Sequence, residues 1–183
     1  MQISSEKRNL DVYDRYYASL HWVMAFLIIL TLCLIETKGM VPNRIIRYYI
    51  GYLHIQIGLS IALFTIVRVV WRMFITPPVI KPALPLIQKK LSSFVHSGLY
   101  AMLIIVPWLG VFSLESKGKS IDFFGIPVPM LIDEDYALPY ALSLKNYHEL
   151  LGNIFMVLIG VHVFSALYHH VVRKDNVLKR MLP

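Results

Sequence analysis

Residues 147–172 read YHELLGNIFMVLIGVHVFSALYHHVV, and from Leu150 to Val172 there is no Asp, Glu, Lys or Arg. Those 23 residues, at about 1.5 Å of helix rise each, are long enough to cross roughly 30 Å of hydrocarbon. Yet the segment carries His162 inside it, His148 just before it, and His169 and His170 at its far end. His148 and His162 are 14 residues apart. That spacing corresponds to about 21 Å of rise and falls only about 40° short of four full turns, so both rings face nearly the same way. Ionisable groups at membrane depth are costly and require a partner or a function. A membrane helix with two histidines stacked on one face is the starting point for the fold.

Three more uncharged stretches precede it: Tyr16–Ile35, Tyr48–Val67 and Leu91–Leu114, of 20, 20 and 24 residues. Together they predict an all-α integral membrane four-helix bundle, with helices over about 16–36, 48–73, 91–114 and 147–172, as one domain spanning 1–183. The composition agrees: 57% of residues are hydrophobic, 16% are charged and the mean hydropathy is +0.60. That excludes a soluble globular domain and a disordered chain. Asp11 and Asp14 stand before the first stretch and no small-residue cleavage site follows it, so it is expected to stay in the mature protein. Cys33, the single cysteine, excludes an internal disulfide and is expected to be small and buried.

Lys and Arg outnumber Asp and Glu by 18 to 11, and their distribution sets the orientation. The N-terminal segment, the second connection and the C-terminal segment hold twelve of the basic residues, including Arg68, Arg72 and Arg173, against four acidic ones. The positive-inside rule therefore places both termini in the cytoplasm. Topology accounts for the excess of positive charge and leaves no case for nucleic acid. The opposite side has Lys38, Arg44, Arg47, Lys117, Lys119 and Lys145 against seven acidic residues, with Asp133-Glu134-Asp135 among them. Prolines between Thr76 and Pro85 predict an extended second connection. The long loop from Glu115 to Asn146 lies outside, and Phe123–Pro129 reads as turns forming an apolar lid on the membrane surface.

Depth allows two histidine pairs, His54 with His148 near the outer surface and His21 with His162 near the inner one. Bis-imidazole pairs stacked in a four-helix bundle suit two b-type haems, each iron held between two rings. A closed zinc site would want four ligands, often thiolates. Gly58 and Gly152 each follow an outer histidine by four residues. They leave room for a flat macrocycle, although small residues also serve ordinary helix packing. Arg68 and Arg72, one turn apart, read as interfacial anchors, with pairing to haem propionates the alternative. His169 is a second candidate for the inner ligand. Trp22, Trp71, Trp108, Tyr16, Tyr48 and Tyr147 read as interfacial belt residues.

Several motifs, in order along the chain, resemble the bacterial cytochrome b561 family. They are Leu20-His21-Trp22, His54 through Gly58 to Arg68 and Arg72, Phe94–Tyr100, Tyr147-His148-Glu149, and His162 through His169-His170 to Lys174-Asp175-Asn176 and Leu178–Met181. The resemblance implies a di-haem b-type cytochrome of the bacterial inner membrane with His21, His54, His148 and His162 as axial ligands. It also implies an oxidoreductase like a superoxide:ubiquinone oxidoreductase, with superoxide as a candidate donor, membrane quinone as acceptor, and lipid around it. It points to His169, with Arg72, as the quinone site. Outward cations would steer superoxide, and the acidic Asp133-Glu134-Asp135 run opposes that steering. Glu149, beside His148, is expected to tune that ligand or to cap the helix start. Two alternatives stand: a haem-b anchor subunit for an unknown partner oxidoreductase, and a histidine-based proton or metal transporter.

Overall fold

The computed structural model describes residues 12–132 and 137–183. Glu6, Lys7, Arg8 and Asp11, and the acidic run Asp133-Glu134-Asp135, lie outside the described residues. Among the described residues, four helices are long and apolar enough to cross a membrane: α1 (Arg15–Lys38), α2 (Arg44–Phe74), α3 (Leu86–Glu115) and α4 (Ala141–Tyr168).

Each helix starts earlier than its uncharged window, because capping and charge sit outside the hydrocarbon. The Asp14 carboxylate accepts from the amides of Tyr16 and Tyr17, and the Asn43 amide oxygen from those of Ile45 and Ile46. Each cap supplies acceptors for otherwise unpaired amides of a first turn. The start of α2 thus takes in Arg44 and Arg47. The start of α3 takes in Lys89 and Lys90. The first turns of α4 are marked by an ion pair between Lys145 and Glu149, at 2.8 Å. Glu149 therefore stands two turns inside α4, and the expected role as a helix cap is corrected.

Sequential helices pack side by side: α1 against α2, α3 against α4, with α2 and α3 joining the two pairs. The backbones of α1 and α4 approach each other far less closely, so side chains must bridge that gap. At mid-height Met24, Ile61, Leu103 and Phe155, one from each helix, form a buried core. Phe26, Phe94 and Phe164 are largely exposed, as outward faces solvated by lipid should be. Cys33 is among these exposed positions, not buried as expected; nothing on the sequence distinguishes a lipid-facing small residue from a packed one.

The loop after α3 contains two short antiparallel strands, β1 (Ile121–Phe123) and β2 (Ile126–Val128), with Asp122 opposite Pro127. Phe124 and Gly125 at the tip both have positive φ, 50° and 87°, as a tight type I′ hairpin requires. The all-α expectation thus gains a small hairpin where only turns were read, since three-residue strands are too short to show alternation. The hairpin is fastened to α2 by Gln56, which is 1% exposed. Its amide nitrogen donates to the Asp122 carbonyl at 2.9 Å, and its amide oxygen accepts from the Phe124 N–H at 2.7 Å.

At the other end, α4 runs into a π-helical turn (His169–Arg173) that stops at Lys174, whose φ is 54°. The chain then folds back along the bundle end. The Trp22 indole N–H donates to the Met181 carbonyl at 2.7 Å, and the Tyr13 amide to the Arg180 carbonyl at 3.0 Å. Trp22 is therefore tied to the C-terminal segment. The connection from Ile75 to Pro85 has no helix. It is held by the Asn176 amide oxygen, which accepts from the Lys81 N–H at 2.9 Å, and by Arg180, which donates to the Pro78 carbonyl at 2.6 Å. The bundle consequently has a hairpin end and a terminal end.

Candidate functional site

At the hairpin end His54 of α2 and His148 of α4 face each other, with ring centroids 6.2 Å apart and planes at 90°. Both rings are held from behind. The Nδ1 of His148 lies 2.9 Å from the Val106 carbonyl. The Nδ1 of His54 lies 3.2 Å from the Thr31 carbonyl and 3.0 Å from its hydroxyl. A carbonyl acceptor requires Nδ1 to carry the hydrogen, which leaves Nε2 with its lone pair as the coordinating atom. Gly110 on α3 makes room: a Cβ there would stand 3.0 Å from Cε1 of His148.

Around this pair lies a cavity of about 820 Å³, whose lining includes Gly58, Pro107 and Gly110. All six cations assigned to this side, Lys38, Arg44, Arg47, Lys117, Lys119 and Lys145, also line it. Against these six cations the lining has two carboxylates, Asp122 and Glu149. The Asp122 carboxylate accepts from the Tyr52 hydroxyl and the Gly125 amide, both at 2.9 Å, and Glu149 pairs with Lys145. The field in the cavity is therefore positive.

At the terminal end His21 of α1 and His162 of α4 meet with centroids 6.2 Å apart and planes at 78°. It is His162, not His169, that meets His21. His96 of α3 joins them, 5.2 Å from His162, with its Nδ1 2.6 Å from the Ser92 carbonyl. The sequence offered no signal for this neighbour beyond its membership of the Phe94–Tyr100 motif. Arg68 is 8% exposed, donates to the Tyr17 carbonyl at 3.3 Å and lies 4.3 Å over the Tyr17 ring. Tyr17 stands one turn before His21 on α1, so the guanidinium lies next to the level of that ring. The anchoring role weighed for Arg68 is corrected, since an anchor points outward to the headgroups. Arg72 donates to the Ile75 carbonyl at 3.2 Å.

His169 lies beyond this pair, buried at 8% exposure. Its Nδ1 is 2.6 Å from Oδ2 of Asp175, and Arg173 approaches the same oxygen at 3.5 Å while also bonding Gln88. Asp175 was legible only as part of a motif; its contact depends on the π-helical turn bringing the chain back.

The two pairs meet a simple geometric requirement. Metal–imidazole bonds of about 2.0–2.1 Å put two rings on opposite sides of one metal roughly 6 Å apart between centroids. A Cβ at Gly58 or Gly152 would meet nothing within 4 Å, so the space one turn from His54 and from His148 is open to a planar group. Among the described residues no three His, Cys, Asp or Glu side chains are grouped to hold a metal ion. Pairs suit a metal whose remaining ligands come from a macrocycle. Membrane-crossing helices with inward histidine pairs of this kind define a membrane b-type cytochrome.

The family model of prokaryotic cytochrome b561 matches residues 12–183. The chain is 32% identical over 172 residues to the probable superoxide oxidase CybB of Yersinia pestis, covering 93% of this chain and 96% of that protein. It is 30% identical over 175 residues to cytochrome b561 homolog 1 of Escherichia coli (strain K12), covering 95% and 98%. Over 182 residues it is 31% identical to cytochrome b561 homolog 2 of the same strain, covering 93% and 90%. The chain belongs to the prokaryotic cytochrome b561 family. It is a multi-pass protein of the bacterial inner membrane that binds haem b and serves electron transport.

Proposed function

We propose that the protein carries electrons one at a time from a periplasmic donor to membrane quinone, through two haems b held by His54/His148 and His21/His162. The observation that carries this reading is the recurrence of the same 6.2 Å ring separation at both pairs, about 21 Å apart along α4. Haem b supplies reversible one-electron chemistry at each site. The chain's own residues do the rest. Thr31 and Val106 fix the tautomer and tilt of the hairpin-end imidazoles, and Met24, Ile61, Leu103 and Phe155 keep water out of the level between the pairs.

The hairpin end faces the periplasm in this reading, because most of the cations lie at the other end. Superoxide is the favoured donor. The name of the Yersinia relative supports it, and so do the six cations lining the cavity, which would concentrate a small anion there. Superoxide gives up one electron and leaves as O2; two electrons and two protons convert quinone to quinol. His169, oriented by Asp175 and with Arg72 on the same bundle end, would deliver a proton to a quinone carbonyl.

A reduced-minus-oxidised visible spectrum of the purified protein, with haem counted per chain, tests the proposal. Two b-type haems per chain are expected, followed by reduction on mixing with superoxide and re-oxidation by quinone. A colourless protein from haem-replete cells would overturn it.

A further inference from the structure

The two histidine pairs are alike in spacing and unlike in surroundings. At the hairpin end both imidazoles face an acceptor: the carbonyl and hydroxyl of Thr31 for His54, and the Val106 carbonyl for His148. Such a hydrogen bond makes the ring a more basic ligand, which favours the more positive, oxidised state of a metal it holds. At the terminal end neither His21 nor His162 has a hydrogen-bond partner among the described residues.

The charge nearby differs as well. Arg68 is buried against Tyr17, one helical turn before His21 on α1, and no carboxylate among the described residues pairs with it. Its contacts, the Tyr17 carbonyl and ring, are dipoles that leave its net charge in place. Reduction adds one electron, and so one negative charge, to the site that receives it. A buried cation in low dielectric lowers the energy of that charge, and it does so equally where it offsets a haem propionate. The cations of the hairpin-end cavity act in the same sense on the other site, but they are exposed or half-buried and Lys145 is paired. Water and salt screen them far more than they screen Arg68.

Resting on the ligation proposed above, we infer that the His21/His162 site has the higher reduction potential of the two and that buried Arg68 holds it there. The hydrogen bonds at His54 and His148 and the charge at Arg68 act in opposite senses on the two sites. Their sum biases an electron entering at the hairpin end to move toward the terminal end.

The test is a potentiometric titration of the purified, haem-loaded protein, followed by its visible spectrum, in wild type, Arg68→Met, Arg68→Lys and His54→Ala. Wild type should hold two haems and titrate in two one-electron waves; one haem or none overturns the ligation and the inference with it. His54→Ala should keep the upper wave and lose the lower. Retention of the lower wave with two haems in wild type overturns the ordering alone. Arg68→Met should lower the upper wave by about tenfold in the reduction equilibrium, 59 mV for a one-electron couple, with the lower wave in place, and Arg68→Lys should restore most of the shift. A two-haem Arg68→Met protein with an unmoved upper wave removes Arg68 from this role. If Arg68→Met binds no haem, Thr31→Val decides: losing one of two acceptors at His54 should raise the lower wave alone, and movement of the upper wave instead overturns the scheme.

Discussion

Gly110 and His148 are in contact across the α3–α4 interface: the imidazole occupies the space that a side chain at 110 would need, with Cε1 3.0 Å from the position of a Cβ. The ring cannot retreat without giving up the 2.9 Å approach of its Nδ1 to Val106. Gly110→Ala is therefore expected to displace His148 and to lower haem occupancy at the hairpin-end site while sparing the terminal-end site. Haem per chain, read from the reduced spectrum, should fall from two toward one. Unchanged content would mean that α3 shifts to absorb the methyl group.

His54→Ala and His162→Ala should each remove one haem and leave the other. Their reduced spectra should be complementary, summing to that of wild type. Loss of both haems from a protein that still folds as a helical bundle, checked by circular dichroism, would reassign the pairs.

Gln56 makes two hydrogen bonds to the hairpin from a nearly fully buried position. Gln56→Leu leaves the Asp122 carbonyl and the Phe124 amide without those partners. A destabilisation of about 1–3 kcal/mol is expected, concentrated in the hairpin. Faster proteolysis between Ile121 and Val128, with helix content unchanged, is the measurement; an unaltered cleavage rate would mean that Tyr52 and Asp122 suffice to hold it.

Lys38 and Arg47 line the cavity and are half-buried at its wall. Changing both to Gln should slow reduction by superoxide, by up to about tenfold at low salt, and flatten its dependence on ionic strength. Haem content should stay at the wild-type level. A rate indifferent both to salt and to the two charges would remove steering by this cavity.

Asp175 orients His169 through a 2.6 Å contact. Asp175→Asn should slow quinone reduction, on the order of tenfold to a hundredfold, while leaving the haem count and reduction from the hairpin end unaltered. Stopped-flow re-oxidation by a short-chain quinone measures it. Equal rates in variant and wild type would take the quinone site away from His169.

Much of this was readable along the chain. Apolar runs of membrane length are a local property, so four helices follow from counting, and helical periodicity alone puts His148 and His162 on one side of α4. Which histidine meets which partner was open between His162 and His169 for His21, because their depths differ by only two turns. Gln56 gave no sign of its role, since its partners are 66 and 68 positions away. Asp175 likewise appears as a tail carboxylate until the π-helical turn brings it to His169.

Arg68 marks the division. Hydropathy and charge counting see it as one more cation at the end of a membrane helix, where an outward-pointing anchor and an inward-pointing partner look identical. Its burial over Tyr17 is decided by how α1 packs on α2, a pairwise fit between surfaces that no single helix encodes. The membrane spans and the histidines within them follow from spacing inside single segments, and so are legible in one dimension. Which rings face each other, the hairpin clasp and the place of the buried charge depend on contacts between segments distant in the chain, and appear only once the helices are packed.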